Sequence, residues 1–354
     1  MKILVRAPNW VGDAVMAIPA LEAIRKIRAG AQISLLARPA VADLLAGQSF
    51  IDRVLPYENR GRHAGLPGRE KLVSELRKEN FDVAVLLQNA FEAAWLAWRA
   101  GIPERIGYAR DARSLILTNA VRVPRIGQVP SHESQYYLEL LCRAGWIDAL
   151  PEIPPIRLSI PESARIAAES LLRKSGAREN AWRCAIAPGA SYGAAKCWPP
   201  ERFAQLADRL ISECDADVIF FGTPAEKDIA ARIRSTMNSR ATSLVGETSM
   251  RDLAALFSCC SAFIGNDSGA MHVAAAAGLP VIGIFGPTDP QGTAPVTGQF
   301  ILIRQAVSCS PCFLRRCPVD HRCMTRISVD SVFSAAMQMK NRPHNLSVRG
   351  ARNV

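Results

Sequence analysis

An acidic side chain follows the first predicted strand directly, in the run Pro8-Asn9-Trp10-Val11-Gly12-Asp13. Gly12 would permit a tight turn there, and Asp13 would then lie in the first turn of the next helix. Such an aspartate can cap the helix, or it can act as a general base in a cleft. Because a helix N-terminus favours the carboxylate form, burial or another carboxylate would have to raise its pKa.

A lysine follows the first strand of the second half of the chain. Residues 187–191 read Ala-Pro-Gly-Ala-Ser and lead through a small-residue loop to Lys196. Backbone N–H groups near Ser191 could bind a phosphate, and the Lys196 ammonium could stabilise an oxyanion. The alternative is an ordinary surface lysine.

A polar turn at residues 265–269 opens an alanine-rich helix that carries His272. Its residues Asp267, Ser268 and Gly269 have the form of a phosphate-binding helix N-terminus, although they could simply cap the helix. His272 could equally be a core residue. The chain has neither GxGxxG nor GxxxxGK[ST], so neither a nicotinamide-binding fold nor a P-loop is indicated. A further turn at 286–290 ends another predicted strand, which suggests that several strand-end loops converge.

Four cysteines follow with the spacing C-x2-C-x4-C-x5-C, at Cys309, Cys312, Cys317 and Cys323. Four thiols in one loop could hold zinc or ligate an iron–sulfur cluster. The spacing differs, however, from the usual paired C-x2-C knuckles. We therefore expect a compact loop of free thiols, with no metal and no cofactor.

Arginines are frequent in the first half of the chain. Six lie between residues 99 and 125, against two acidic residues: Arg99, Arg105, Arg110, Arg113, Arg122 and Arg125 against Glu104 and Asp111. Arg60 and Arg62 add to the same half. Arginine suits bidentate contact with phosphate or carboxylate groups, so the cluster could form a groove for an anionic acceptor. A solvated basic face is the alternative.

The composition is that of a globular enzyme, with 49% hydrophobic and 21% charged residues and a net charge of +11. The positive charge suits nucleic acid, a membrane surface or an anionic substrate. The absence of a recognised nucleic-acid motif argues against the first. No apolar run is long enough to cross a bilayer, and most of the ten cysteines are scattered. We expect a cytoplasmic protein.

Alternating strands and helices must position these residues. In residues 1–160, predicted strands at 3–5, 33–36, 54–57, 83–87 and 105–108 alternate with helices at 14–28, 70–78, 93–99 and 133–144. In residues 161–340, a helix at 162–175 precedes strands at 184–187, 218–221, 242–245, 262–264 and 281–285 and helices at 201–212, 225–235, 250–258 and 270–277. This alternation predicts an α/β fold of two Rossmann-like, doubly wound parallel-sheet domains. Their strand ends would face each other across an interdomain cleft that suits two substrates. Residues 341–354 are expected to form a basic, disordered tail.

Several of these segments together resemble one known family. Residues 1–5 and 10–16 are similar to the start of the ADP-heptose:lipopolysaccharide heptosyltransferases, glycosyltransferase family 9. Residues 188–198, 265–272, 286–290 and 309–324 resemble the same family, so the resemblance extends to about residue 340. The Trp-Val-Gly-Asp form and the loop ending Asp-His-Arg-Cys favour the members that add the second heptose of the inner core.

The resemblance implies a GT-B fold and a metal-independent, inverting glycosyltransferase. The first domain would bind the acceptor, heptosyl-Kdo-lipid A, and the second would bind the donor, ADP-heptose. Asp13 would be the general base that accepts a proton from the acceptor hydroxyl. Lys196 would neutralise the departing diphosphate.

The resemblance also implies substrate-binding positions. Ser191 and the turn Asp267-Ser268-Gly269 would hold the phosphates, and Glu226 the ribose hydroxyls. The other positions are Met250 near adenine, Gly12, His272 with an unassigned role, and Arg60 and Arg62 toward the acceptor. Alternatives are transfer of the first heptose, transfer from another ADP-sugar, or a sugar-nucleotide epimerase or hydrolase. The charge of +11 also suits peripheral contact with the anionic inner face of the membrane, and we expect no nucleic-acid partner.

Overall fold

A computed structural model of the chain describes residues 1–125 and 127–341. Within that part, the chain forms two six-stranded parallel sheets, as the alternation of strands and helices predicts. Apart from its first residue, the tail predicted at 341–354 lies outside the described residues. No helix in the described ranges is both long and apolar enough to cross a membrane.

The first sheet has the strand order β3-β2-β1-β4-β5-β6. Its central strand β4 is buried along its whole length, as expected for a parallel strand covered by helices on both faces. The elements of this half are β1 (Lys2–Arg6), α1 (Val11–Met16), α2 (Ile18–Ile27), β2 (Gln32–Ala37), α3 (Pro39–Leu45), β3 (Arg53–Pro56), α4 (Gly65–Glu79), β4 (Val83–Leu86), α5 (Phe91–Arg99), β5 (Glu104–Tyr108), β6 (Asn119–Val121) and α6 (Glu133–Arg143).

The second sheet has the strand order β12-β11-β10-β7-β8-β9. Its elements are α7 (Glu162–Lys174), β7 (Arg183–Ala187), α8 (Pro200–Cys214), β8 (Asp217–Phe220), α9 (Lys227–Thr236), β9 (Thr242–Ser243), α10 (Met250–Ser258), β10 (Ala262–Asn266), α11 (Gly269–Ala276), β11 (Val281–Phe285), α12 (Pro290–Thr293), β12 (Phe300–Arg304), α13 (Arg322–Thr325) and α14 (Val329–Lys340). Short 3₁₀ turns lie at Ala194–Lys196 and Pro224–Glu226. In each sheet the central strands are buried and the site loops follow their carboxyl ends.

The helix predicted over residues 14–28 is in fact two helices. The first, α1, begins at Val11, and the chain breaks at Ala17 before α2. Pro19 lies in the first turn of α2, where a backbone N–H has no partner within the helix, so its absence costs nothing. In the middle of a longer helix the same proline would remove a hydrogen bond, which is why α1 does not continue into α2. The short strand β6, the edge strand β12 and the helices α3 and α14 were not predicted, because short or edge elements carry a weak periodic signal.

The two domains meet where α1 packs on α11. A Cβ atom at Gly12 would lie 2.9 Å from Cδ2 of His272, and one at Gly269 would lie 3.1 Å from Cβ of Val11. The prediction that Gly12 permits a tight turn is therefore wrong. Gly12 lies inside α1, and its missing side chain lets the two helices approach closely.

Candidate active site

A cavity of about 820 Å³ lies between the carboxyl edges of the two sheets. Parallel strands bring the loops that follow them to one edge of each sheet, which is why residues far apart in sequence meet here. Of the residues that the sequence singled out, the cavity is lined by Gly12, Asp13, Ser191, Lys196, Glu226, Met250, Asp267, Ser268, Gly269 and His272. Arg60 and Arg62 are not among its lining residues.

Asp13 is the third residue of α1 and is not its N-cap, a position that Trp10 occupies. The pKa of the Asp13 carboxyl group is raised to about 6, chiefly by burial, while the positive charge of Lys196 opposes this shift and the negative charge of Asp267 adds to it. Near neutral pH, Asp13 can be ionised and still basic enough to accept a proton.

Lys196 lies at the end of the 3₁₀ turn after β7, and it is not an ordinary surface lysine. Its side chain is only 11% exposed, and its Nζ donates to Oδ2 of Asp267 at 2.5 Å. The hydroxyl of Thr288 donates to the same oxygen at 2.6 Å. Because an ammonium has three donors, Asp267 orients Lys196 and leaves N–H groups free for an anion in the cavity.

Asn266 holds the loop that carries Lys196. Its Oδ1 accepts from the backbone N–H of Trp198 at 3.0 Å, and its Nδ2 donates to the carbonyl of Pro188 at 2.7 Å. The fully buried amide therefore ties both ends of the loop to the end of β10. A buried amide with both ends paired gives a fixed geometry, so the position of Lys196 is set before any ligand arrives.

The cysteine loop, residues 309–323, packs against the same lysine loop. The backbone N–H of Ala195 donates to the carbonyl of Arg315 at 3.1 Å, and Nε2 of His321 lies 2.7 Å from the carbonyl of Ala195. The hydroxyl of Tyr192 donates to the carbonyl of Phe313 at 2.5 Å. These contacts give the loop a supporting role beside Lys196.

The ten cysteines all belong to the described part of the chain and are free thiols. In that same part, no three His, Cys, Asp or Glu side chains are grouped in a way that could hold a metal ion.

Ser268 is the N-cap of α11, but its side chain makes no capping hydrogen bond. Its Oγ is buried and has no partner within the described structure. The N-caps of α10 and α14, Ser249 and Ser328, both accept from a backbone N–H. Simple capping is therefore not what Ser268 does. Its unpaired hydroxyl lies beside the N–H groups of the first turn of α11 at the cavity wall, an arrangement that is typical of anion sites.

Glu226 and Met250 line the far side of the cavity. Oε2 of Glu226 accepts from the backbone N–H of Thr223 at 2.6 Å and from its hydroxyl at 3.0 Å. The rest of this carboxylate lies over Gly189, where any Cβ atom would collide with it. Glu226 is thus held with acceptor capacity left for hydroxyl groups. Met250 begins α10 and supplies an apolar wall.

His272 lies in α11 against Gly12. It is 4% exposed, and burial lowers the pKa of its imidazole to about 4. The ring is therefore neutral near pH 7 and cannot serve there as a cationic phosphate ligand. In the structure the ring instead packs against Gly12 of α1, where helices of the two domains cross.

Arginines 99 to 125 do not form the continuous groove that the sequence suggested. Arg113 is fully buried and donates to the carbonyl groups of Tyr108 and Gln88. Arg105 is bound to backbone carbonyl groups, and Arg99 pairs with Glu70. The reason is geometric: α5 runs back along the sheet, so Arg99 lies at the edge opposite the cavity.

Arg60 and Arg62 are exposed residues in the segment after β3. Arg62 lies 3.2 Å from Glu58 and 3.6 Å from Glu75. Both arginines therefore follow the carboxyl end of an edge strand, on the same side of the sheet as the cavity but outside its lining.

Glu133 is a cavity residue that sequence reasoning missed. It is the first residue of α6, and its pKa is raised to about 7, chiefly by burial and then by the charge of Asp13, while Arg110 lowers it. Thr288 was also missed as an individual residue, although the turn at 286–290 that contains it was singled out. The sequence signal for Glu133 was only its place at a helix start, which is common for glutamate.

Three comparisons with known proteins bear on this site. A model of glycosyltransferase family 9 (heptosyltransferase) matches residues 69–322, which include Lys196 and Asp267 but not Asp13. Lipopolysaccharide heptosyltransferase 2 of Escherichia coli (strain K12) is 30% identical over 312 residues, 86% of this chain and 88% of that protein. The structure of E. coli ADP-heptose lps heptosyltransferase II aligns with a TM-score of 0.79 at 27% identity, covering 96% of this chain and 98% of that one. The similarity therefore extends over both sheets.

Proposed function

The chain belongs to glycosyltransferase family 9, the heptosyltransferases, and we propose that it transfers L-glycero-D-manno-heptose from ADP-heptose to the first heptose of heptosyl-Kdo-lipid A. The fold is of the GT-B type, with two parallel-sheet domains. The observation that carries the proposal is the opposition of Asp13, on the first domain, to Lys196 and the N-terminus of α11 on the second.

The chemistry is a displacement at the anomeric carbon of the donor. As the acceptor hydroxyl oxygen bonds to that carbon, its proton passes to the carboxylate of Asp13, and the bond from the carbon to the phosphate oxygen breaks. The departing ADP carries the negative charge, which Lys196 neutralises. We expect in-line attack with inversion of configuration, since the base comes from the first domain and the leaving-group site from the second. We expect the step to need no metal ion, with Lys196 and the N-terminus of α11 stabilising the departing diphosphate.

The second domain supplies the donor site. Ser191, Ser268, Gly269 and the free N–H groups of α11 would hold the diphosphate, and Asp267 would hold Lys196 against it. Glu226 would accept hydrogen bonds from the ribose hydroxyls. Met250 would border the adenine, as an apolar wall does for a flat ring.

The first domain supplies the acceptor site. Arg60 and Arg62 lie outside the cavity, where they could reach acidic groups of an acceptor that extends beyond it. The acceptor is anchored in a membrane by lipid A, and the net charge of +11 suits peripheral contact with the anionic inner membrane face.

The names of the relatives support the second heptose over the first. Two relatives at 30% identity, from E. coli and from Haemophilus ducreyi (strain 35000HP / ATCC 700724), are both heptosyltransferases 2. An epimerase or hydrolase would share the donor half of the cleft but would not need a binding site for a saccharide acceptor on the other domain.

A transfer assay tests the proposal. ADP-heptose is offered with truncated lipopolysaccharides that carry zero, one or two heptoses, and the products are analysed by mass spectrometry. We expect transfer only to the one-heptose acceptor. Transfer only to the heptose-free core would indicate first-heptose activity, and turnover of ADP-heptose without any acceptor would indicate an epimerase or a hydrolase.

A further inference from the structure

Large apolar side chains are exposed on both lips of the cleft. On the first domain they are Trp10, Leu66 and Phe91, of which Leu66 is 63% exposed. On the second domain they are Phe313, Leu314 and Val319 of the cysteine loop, of which Val319 is 74% exposed. Exposed apolar groups that cluster beside a functional cleft mark an interaction surface more often than scattered ones do.

Topology places the first set on one face. Trp10, Leu66 and Phe91 stand in the segments that follow β1, β3 and β4, three strands of one parallel sheet. The carboxyl ends of parallel strands meet at one edge, so these side chains share the edge that carries Asp13. Trp10 and Phe313 both line the cavity, which brings the two lips together around its mouth.

Arginines accompany the apolar groups on both lips. The segments 58–69 and 313–322 contain six arginines and two acidic residues: Arg60, Arg62, Arg69, Arg315, Arg316 and Arg322 against Glu58 and Asp320. In the described part of the chain, no carboxylate lies within 4 Å of the guanidinium groups of Arg60 or Arg316. Each lip therefore combines apolar side chains with unneutralised positive charge.

We propose that these two lips, which we call the cleft rim (residues 58–69 and 313–322 with Trp10 and Phe91), dock on an anionic phospholipid bilayer. Arginines contact lipid phosphates while leucine and aromatic side chains enter the headgroup region, the usual division at a membrane interface. The cavity mouth then opens against the surface in which the acceptor is anchored. This inference rests on the proposed function for its lipid-linked acceptor, and it assigns the face that meets the membrane.

Vesicle flotation of the full-length protein tests the rim. The vesicles contain phosphatidylcholine alone, or phosphatidylcholine with phosphatidylglycerol. The test variant is Leu66→Ser/Leu314→Ser/Val319→Ser, and none of its three positions lines the cavity. Ile166→Ser/Leu302→Ser is the matched control, because these side chains are also exposed but lie on α7 and β12.

We expect the wild type and the control to float with the anionic vesicles and not with phosphatidylcholine alone. The triple variant should bind the anionic vesicles at least about tenfold more weakly, since each buried apolar group adds to interfacial affinity. Arg316→Gln should also weaken binding, and more so at low salt. All four proteins should transfer heptose equally to a soluble, deacylated acceptor.

Undiminished vesicle binding by the triple variant, or a wild type that binds no anionic vesicle, would overturn the assignment of the rim. A wild type that floats but does not transfer heptose to the deacylated acceptor would instead count against the proposed function. The two failures are thus distinguishable. Thermal unfolding midpoints establish that each variant is folded.

Discussion

Two carboxyl groups of the first domain, Asp13 and Glu133, share one wall of the cleft and have raised pKa values, about 6 and about 7. Burial is the largest cause of both pKa shifts, and the negative charge of Asp13 also contributes to the raised pKa of Glu133. At a pH between these two values, Asp13 is mainly ionised and Glu133 is mainly protonated, so the pair carries about one proton. The lower value belongs to the residue that we propose as the base.

Replacing Asp13 by Asn should abolish transfer while leaving the donor site intact. The amide keeps the size of the side chain but cannot accept the proton, so we expect kcat to fall by roughly 10²–10⁴-fold. ADP-heptose binding, measured by calorimetry, should stay within a few-fold of the wild type. Retained turnover in Asp13→Asn would remove this residue from the base role.

The pH dependence of transfer should report the same group. Asp13 must be ionised to accept a proton, so kcat/KM should fall about tenfold per pH unit below its pKa of about 6 and level off above it. In Glu133→Gln, any inflection near pH 7 should disappear while the acid limb near pH 6 remains. An unchanged inflection near pH 7 in that variant would assign it to another group.

At the scale of single elements, the helix starts of the second domain differ in how they are capped. The hydroxyl of Ser328 accepts from the N–H of Ser331 at 3.1 Å and so stabilises α14. The hydroxyl of Ser268 at the start of α11 makes no such bond. A cap that does not bond its own helix is free to bond a ligand, which is the use that we assign to it.

Alanine at these two positions should separate the roles. Ser328→Ala should lower the free energy of unfolding by about 1 kcal/mol without changing donor affinity. Ser268→Ala should leave unfolding nearly unchanged but weaken ADP binding by roughly 10- to 100-fold, the loss of one hydrogen bond to a charged group. Chemical denaturation and calorimetry measure the two quantities. A stability loss in Ser268→Ala with unchanged ADP affinity would contradict the assignment.

At the scale of the whole molecule, the reaction depends on how the two domains meet. The crossing of α1 and α11 is close because Gly12 and Gly269 have no side chains. Asp13 adjoins Gly12 and Ser268 adjoins Gly269, so this contact sets the distance between the proposed base and the proposed phosphate site. A small shift at this crossing would therefore move Asp13 away from the start of α11.

Gly12→Ala should therefore reduce activity more than stability. Its Cβ would lie 2.9 Å from His272, so the helices must separate slightly, and we expect kcat/KM to fall on the order of 100-fold. Gly30→Ala is the control, because no atom lies within 4 Å of a Cβ there. If the steric argument holds, adding His272→Ala should restore part of the activity. No recovery in the double variant would count against it.

The sequence by itself determined the alternation of strands and helices and the place of Asp13, Lys196 and the Asp267 turn at strand ends. These follow from local periodicity and from the rule that parallel strands end at one edge. The tertiary structure alone decided the elevated pKa of Asp13, the recruitment of Glu133 and the dispersal of the arginines. It also showed that Gly12 lies at a crossing of two helices and not in a turn. The physical reason is that burial, charge and close packing depend on atoms that are distant in sequence, such as Asp267 beside Asp13 and His272 against Gly12.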